Sequence, residues 1–327
     1  MSRRVRLGVL GCSAIARRRA LPAVAEIPEL EITAIASRDA AKAAEFADRF
    51  GGTATTGYAA LLDDPDVDAV YLSLPTALHH EWALRALRAG KHVLCEKPLT
   101  DRADRTRELT ALARERNLVL RENFAFLHHP QHRTVADLVA DGRIGALRTF
   151  TATFGIPPLP DSDIRYDAAL GGGALLDVGV YPIRAAQLLL GPGLALSGAV
   201  LRVDERRGVD LAGHALLVAR DGTFADLEFG FQHGYRSRYG LWGATGALGL
   251  DRAFTPPAEH RPLLRIDEQD HAEELVLAAA HQFRDSLAAF ARTVLDRAPD
   301  EPAWLDAAEE TARLVEQVRA GAVRVPA

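Results

Sequence analysis

The sequence predicts two domains: an α/β N-terminal domain on a doubly wound parallel sheet, and an α+β C-terminal domain with an open-faced, mostly antiparallel sheet. Three observations predict them. Short apolar runs alternate with helical patterns over about the first 120 residues, as in a parallel sheet with crossover helices. The first run ends in the small-residue turn Gly11-Cys12-Ser13-Ala14-Ile15-Ala16, and a helical pattern follows at once. Beyond Asn123 the alternation gives way to strand-type runs separated by turns, so the domains are expected at residues 1–123 and 124–327.

The expected strands of the first domain are the apolar runs at 5–10, 32–37, 69–74, 92–95 and 118–120, each short enough for a buried parallel strand. Helical patterns at 15–25, 40–50, 77–89 and 103–117 connect them, with Thr76 suited to an N-cap and Gly90 to a C-terminal stop. In the second domain 132–141 reads as a helix, and so does 174–190, where Pro182 demands a kink or a restart. Strands are expected at 196–203, 214–219, 224–229, 237–243 and 248–250, with Asp221-Gly222 as one of the turns. Long helices are expected at 273–295 and 304–319. Helices on one face of such a sheet leave the other face to solvent or to another subunit.

Composition narrows the function classes. With 48% apolar and 25% charged residues the chain reads as an ordinary globular protein, and a net charge of -5 makes no case for nucleic acid or an anionic membrane. Two cysteines, Cys12 and Cys95, are too few for a disulfide framework; they read as small apolar fillers and point to a reducing cytoplasm. Arg3-Arg4, a short apolar run and Leu10-Gly11-Cys12 imitate an export signal. The glycines in that run and the following Arg17, Arg18 and Arg19 favour a strand, a turn and a helix start instead. No uninterrupted apolar run approaches membrane-spanning length, and neither internal repeats nor low-complexity segments stand out.

The turn after the first strand has the spacing of a dinucleotide fingerprint. Gly11 serves the tight turn, Ser13 stands where the backbone approaches pyrophosphate, and Ala16 where helix packs on strand, with Cys12, Ala14 and Ile15 completing the loop. The second glycine of the usual pattern is a serine. The second strand ends in Ser37-Arg38, with Lys42 one turn later; hydroxyl and guanidinium suit the 2′-phosphate of NADP, where an acid would suit NAD. Ser73, Leu74, Pro75 and His79 are candidates for the nicotinamide-ribose side, although His79 and His80 read equally as helix-surface residues.

Two further segments carry reaction chemistry. In Lys91-His92-Val93-Leu94-Cys95-Glu96-Lys97-Pro98 a strand delivers Lys97 to its C-terminal end, and Pro98 holds that residue out of the helical region. An ammonium there can bond an oxygen that gains negative charge. In Gly171-Gly172-Gly173-Ala174-Leu175-Leu176-Asp177-Val178-Gly179-Val180-Tyr181-Pro182, glycines permit close backbone approach, and i, i+4 spacing puts Asp177 and Tyr181 on one helix face. A phenol made easier to ionise by a nearby ammonium is a competent acid, whereas Tyr181 alone also reads as an amphipathic core residue.

Together, G-C-S-A-I-A, H-V-L-C-E-K-P-L and G-G-G-A-L-L-D-V-G-V-Y-P resemble the glucose-fructose oxidoreductase/inositol dehydrogenase (Gfo/Idh/MocA) family over nearly the whole chain. The resemblance implies that Lys97 is the active-site lysine, that Glu96 and Pro98 shape the cofactor pocket, and that the C-terminal sheet forms a homodimer or homotetramer. Many relatives have histidine where this chain has Tyr181, which favours the tyrosine-bearing branch over inositol-type dehydrogenation. Within that branch R-E-N-F-A-F-L-H-H-P-Q-H (121–132), D-I-R-Y-D (163–167) and R-A-F-T-P-P (252–257) are similar to the nucleotide-sugar 3-ketoreductases.

That similarity implies NADP-dependent reduction of the C-3 keto group of a dTDP-linked 3-keto-deoxysugar, with Lys97, Tyr181 and Asp177 as the catalytic residues. Phe126, His128, Gln131 and Asn123 are expected at the sugar pocket, Arg165 and Tyr235 at the nucleotide, and Glu96, Asn123 and Arg165 also against the cofactor. Arg236 and Arg238 read equally as solvated charge. His128, His129 and His132 lack a convincing fourth partner for a metal, so none is expected. A rival reading is an NAD(P)-dependent dehydrogenase of a free sugar or diol, and another is a cofactor-binding regulator without catalysis.

Overall fold

A computed structural model describes residues 3–296 and 302–327. The chain forms two compact units, Met1–His128 with Gln282–Ala312, and His129–His281 with Arg313–Ala327. The first unit therefore extends past the expected boundary at 123 and takes back a segment that the sequence had placed in the second domain.

In the first unit the strands are β1 (Val5–Leu10), β2 (Leu30–Ser37), β3 (Thr53–Thr56), β4 (Ala69–Leu72), β5 (His92–Glu96) and β6 (Leu120–Asn123). All pair in parallel, in the order β3-β2-β1-β4-β5-β6. The order reverses direction between β1 and β4, and a crevice outside the strand ends at such a switch point is where this topology binds ligands. The helices are α1 (Leu21–Val24), preceded by a π-helical stretch Ala16–Ala20, then α2 (Ala40–Phe50), α3 (Tyr58–Leu62), α4 (His79–Arg88) and α5 (Ala103–Arg116). β3 escaped the sequence reading because Thr-Ala-Thr-Thr is a largely exposed edge strand without an apolar run. β6 starts later than expected and ends on the polar Arg121-Glu122-Asn123.

In the second unit α6 (Gln131–Ala140) precedes β7 (Leu147–Gly155), and a π turn, Leu175–Gly179, runs into α7 (Val180–Leu190). The expected restart near Pro182 is this π turn. Then follow β8 (Ala195–Asp204), β9 (Val209–Val218), β10 (Phe224–Gly230), β11 (Arg236–Gly243), β12 (Gly246–Asp251), β13 (Leu263–Glu268) and β14 (His271–Val276). After α8 (Gln282–Leu295) and α9 (Pro302–Gly321), a last strand, β15 (Val323–Pro326), pairs in parallel with β8. The nine strands lie in the order β14-β13-β12-β11-β7-β10-β9-β8-β15, antiparallel except at β10–β7 and β15–β8.

Central β7 alternates cleanly, Phe150, Ala152 and Phe154 inward against Thr149, Thr151 and Thr153 outward, and was missed in the sequence. The expected helix from 273 is corrected: His271–Val276 pairs antiparallel with β13, and helix begins only at Gln282. Glu-rich residues favour helix locally, but ladder bonds at the sheet edge decide. In the one described stretch apolar and long enough to cross a membrane, Ala168–Leu190, 67% of the most apolar 18-residue window is buried inside the fold.

Each face of the parallel sheet has its own core. Leu7, Val9, Tyr71 and Leu94 pack under Ala16, Ala20 and Leu21 and, from α8, Leu287, Phe290, Ala291 and Val294. Leu10, Ala36, Leu72, Val93 and Cys95 face Leu87, Leu109 and Ala113, with Leu305 and Ala308 from α9.

Candidate functional site

At the end of β1, Gly11 has φ +103, and a Cβ there would stand 2.5 Å from the Ser73 carbonyl oxygen. Only glycine lets the turn pass so close to the end of β4. Ser13 then takes the place of the usual second glycine: its hydroxyl hydrogen-bonds the Ser73 hydroxyl and accepts from the Ala16 N–H at 3.1 Å. The substitution thus caps the helix start and ties it to the neighbouring strand end. Ala14 and Ile15 lie in that first helical turn, and the Cys12 thiol, which burial pushes up in pKa, lies 3.7 Å from the Lys42 carbonyl oxygen.

At the end of β2 the Ser37 hydroxyl accepts from the Asp39 N–H at 3.1 Å, and Arg38 and Lys42 are exposed. Among the described residues neither of these two side chains has an ion-pair partner. The acid nearest this strand end, Asp39, is the N-cap of α2, its carboxylate accepting from Ala41 N at 2.9 Å and Lys42 N at 3.2 Å. Asp39 carried a signal in the sequence, since Asp before a helical run is a capping residue. Unpartnered cations beside a committed carboxylate leave the strand end suited to a phosphate.

The turn that carries Lys97 is held from two sides. Glu96 is buried and its Oε1 accepts from the Tyr71 hydroxyl and from Asn123 Nδ2, each at 2.7 Å. Burial raises its pKa, while Tyr71, Asn123 and then Lys97 oppose that shift. Beyond the cis Lys97–Pro98 bond, the Pro98 carbonyl lies 2.8 Å from His79 Nδ1, and His79 Nε2 lies 2.8 Å from the Leu74 carbonyl. His79 is therefore 1% exposed, a buried brace between the β4 loop and the lysine turn; the surface alternative for it is corrected. His80 meets Glu108 at 2.7 Å.

Phe126 and His128, both expected at the sugar pocket, make ring contacts within this unit. Phe126 has no exposed surface and lies edge-on to Phe124 at 5.9 Å. His128 stacks on Trp304, with ring centroids 5.5 Å apart and planes 7° apart, and burial lowers its pKa to about 4. The sequence held no signal for the His128 stacking because Trp304 is distant in the chain.

In the second unit the glycines of the 171–173 segment act as foreseen. A Cβ on Gly172 would lie 2.5 Å from the Arg165 carbonyl oxygen, which also accepts from Gly173 N at 2.9 Å. The close approach places Arg165 Nε 2.6 Å from Asp177 Oδ2 and its Nη1 3.2 Å from Asp163 Oδ1. Asp177 thus has a guanidinium partner, and Tyr181, one turn on, packs its ring against Phe154 at 5.1 Å and Phe254 at 5.7 Å. Gln131 is buried, with Nε2 3.0 Å from the Ala253 carbonyl and Oε1 without a hydrogen-bond partner among the described residues. Tyr235 is exposed, its hydroxyl 3.1 Å from Thr255 Oγ1 and the Arg252 guanidinium over its ring. Among the described residues no His, Cys, Asp and Glu cluster could hold a metal.

Residues 5–124 match the model of an oxidoreductase family with an NAD-binding Rossmann fold, and residues 132–249 match the GFO/IDH/MocA C-terminal domain. The chain belongs to the Gfo/Idh/MocA oxidoreductase family. Within Gfo/Idh/MocA it is 54% identical over 97% of its length to a dTDP-3,4-didehydro-2,6-dideoxy-alpha-D-glucose 3-reductase of Actinomadura kijaniata, covering 96% of that protein. It is 55% identical to the enzyme of the same name from Saccharopolyspora spinosa, over 90% of this chain and 89% of the other. A crystal structure of a 3-ketoreductase from A. kijaniata, in complex with NADP and TDP-benzene, superposes with a TM-score of 0.97 at 53% identity, covering 99% of both chains.

Proposed function

We propose that this chain uses NADPH to reduce the C-3 carbonyl of a dTDP-linked 3-keto-deoxysugar to the alcohol. End-to-end similarity to the 3-reductases carries the reading, and the Rossmann unit supports it. The Gly11 cradle and the helix start at Ser13 to Ile15 suit pyrophosphate, while Ser37, Arg38 and Lys42 suit a 2′-phosphate. Asp39, committed to its cap, offers no free acid for a ribose 2′-hydroxyl.

Bound NADPH supplies the hydride that C-3 receives. The remaining work falls to side chains: Tyr181 gives its phenolic proton to the C-3 oxygen, and the Lys97 ammonium stabilises the charge growing on that oxygen and on the phenolate. Asp177, held by Arg165, orients the sugar or the acid. Ser73, Leu74, Pro75, Glu96 and Asn123 shape the nicotinamide end, and His79 acts on it through the Leu74 and Pro98 carbonyls. Gln131, with its buried unpartnered Oε1, and Tyr235 suit the sugar and nucleotide ends.

The test is NADPH oxidation by purified protein with dTDP-3,4-didehydro-2,6-dideoxy-α-D-glucose, against NADP reduction with xylose, glucose and dihydrodiols. Turnover confined to the free sugars or diols overturns the proposal. Lys97→Ala is expected to lower kcat at least ~100-fold while keeping NADPH affinity within a few-fold in a fluorescence titration; equal loss of both would make Lys97 a binding residue.

We further infer a cytoplasmic enzyme, in keeping with two unpaired cysteines, and self-association through the outward face of the nine-stranded sheet. That face exposes Val200, Leu216, Phe224 and Trp242, the last 67% exposed.

A further inference from the structure

Four side chains from four elements form one buried hydrogen-bonded chain that ends at the residue before Lys97. The Tyr71 hydroxyl, from β4, donates to Glu96 Oε1 at 2.7 Å, and Asn123 Nδ2, from β6, donates to the same oxygen at 2.7 Å. Ser286, from α8, donates its hydroxyl to Asn123 Oδ1 at 2.8 Å. The register explains the meeting. Tyr71 pairs with Leu94, two residues before Glu96 on the same strand face, and Glu96 pairs directly with Asn123.

A buried tyrosine hydroxyl in the middle of an apolar parallel strand is costly unless something requires it. Tyr71 is 0% exposed, its ring lies in the core formed with Leu94 and α8, and phenylalanine would fill that space equally well. The hydroxyl therefore serves its acceptor. Among the described residues Glu96 has no arginine partner, so its carboxylate depends on uncharged donors and on the adjoining Lys97. Ser286 satisfies Asn123 Oδ1, which fixes the amide so that its NH2 group faces Glu96.

We propose that Tyr71 and Ser286 are positioning residues: through Glu96 and Asn123 they hold the lysine turn in the orientation that hydride acceptance and cofactor binding require. This rests on the reductase reading above, and the readouts below separate the two. The titratable groups acting on Glu96 are Tyr71 from β4 and, from its own strand, Lys97 and the Cys95 thiol, which burial and Glu96 push up in pKa; β6 and α8 contribute Asn123 and Ser286, which stay neutral. Removing one donor leaves the carboxylate easier to protonate, so function is lost first on the acid side.

Tyr71→Phe tests this, with Ser286→Ala and Ser286→Thr as a second pair. NADPH affinity is measured by fluorescence titration, turnover with the dTDP-3-keto sugar, and folding by thermal melting, each from pH 5 to pH 9. Tyr71→Phe is expected to weaken NADPH binding about threefold or more and to lower kcat about tenfold, with both losses growing as pH falls. Ser286→Ala should move both in the same direction by less, and Ser286→Thr, which keeps the hydroxyl, should restore them.

A merely structural role would lower the melting temperature and the active fraction while leaving Kd, KM and the pH profile of the folded protein unchanged, and that result overturns the proposal. Should Tyr71→Phe fail to fold, the Ser286 pair decides by the same criterion. Wild-type protein that binds NADPH but leaves the dTDP-sugar untouched defeats the reductase reading; the positioning role then stands or falls on NADPH affinity.

Discussion

At the scale of single residues, we propose that cofactor choice turns on two side chains and one cap. Arg38 and Lys42 are exposed and unpartnered among the described residues, and Asp39 is committed to the α2 N-terminus. Because a hydrogen bond to a charged group contributes about 1.5–3 kcal/mol, Arg38→Ala should raise KM for NADPH by roughly tenfold to a hundredfold and leave KM for NADH nearly unchanged. Equal losses with both cofactors would count against a 2′-phosphate contact. A second residue-scale expectation concerns His128. Its pKa falls from 6.5 to about 4 in the fold, so the folded state binds fewer protons than the unfolded chain between those values. Its contribution is complete above pH 6.5 and is lost as pH falls toward 4, by about 3 kcal/mol at that limit. His128→Phe, which keeps a ring on Trp304, should flatten the acid side of a stability–pH curve from urea unfolding; an unchanged slope would remove His128 as its source. The tight turn at Gly11 and Ser13 was legible because it follows from local spacing. The partners of His79, Glu96 and His128 were not, since Pro98, Tyr71 and Trp304 lie 19, 25 and 176 residues away.

At the scale of elements, apolar runs marked β1, β2, β4 and β5 closely because strands buried on both faces must be apolar throughout. The same signal missed β3 and mistook His271–Val276, whose exposed positions carry no such demand. Helix α8 was expected as a helix, yet its place was not. It covers the face of the parallel sheet that carries Tyr71 and Leu94, with Leu287, Phe290 and Ala291 at most 1% exposed. Phe290→Ala should therefore cost ~3–5 kcal/mol and lower the melting temperature of the first unit, although the residue lies 167 positions beyond the boundary expected at 123. A fragment ending at residue 128 would leave that face bare and should fail to give a cooperative melt. Cooperative folding of the fragment would show that α8 is dispensable.

At the scale of the whole molecule, the nine-stranded sheet has alternating strands whose inner residues are buried and whose outer residues include Trp242 and Phe224, both placed opposite Thr149 of β7. A second copy of the chain is the partner we propose for that face, so Trp242→Arg should shift the mass measured by light scattering toward the monomer while NADPH binding persists. A wild-type protein already monomeric at micromolar concentration would exclude the face as an interface. By itself the sequence determined the parallel unit, the small-residue turn after β1, the strand end that presents Lys97, and the helical segment that runs from Asp177 to Tyr181. Those features are written in periodicity and in residues that only one backbone geometry tolerates, so neighbours along the chain suffice to read them. Only the tertiary structure decided that α8 closes the first unit, that Arg165 holds Asp177, and that Tyr71, Asn123 and Ser286 support Glu96. Contacts between distant segments depend on which faces the core brings together, and hydrogen-bond partners chosen in that way leave no periodic trace in the sequence.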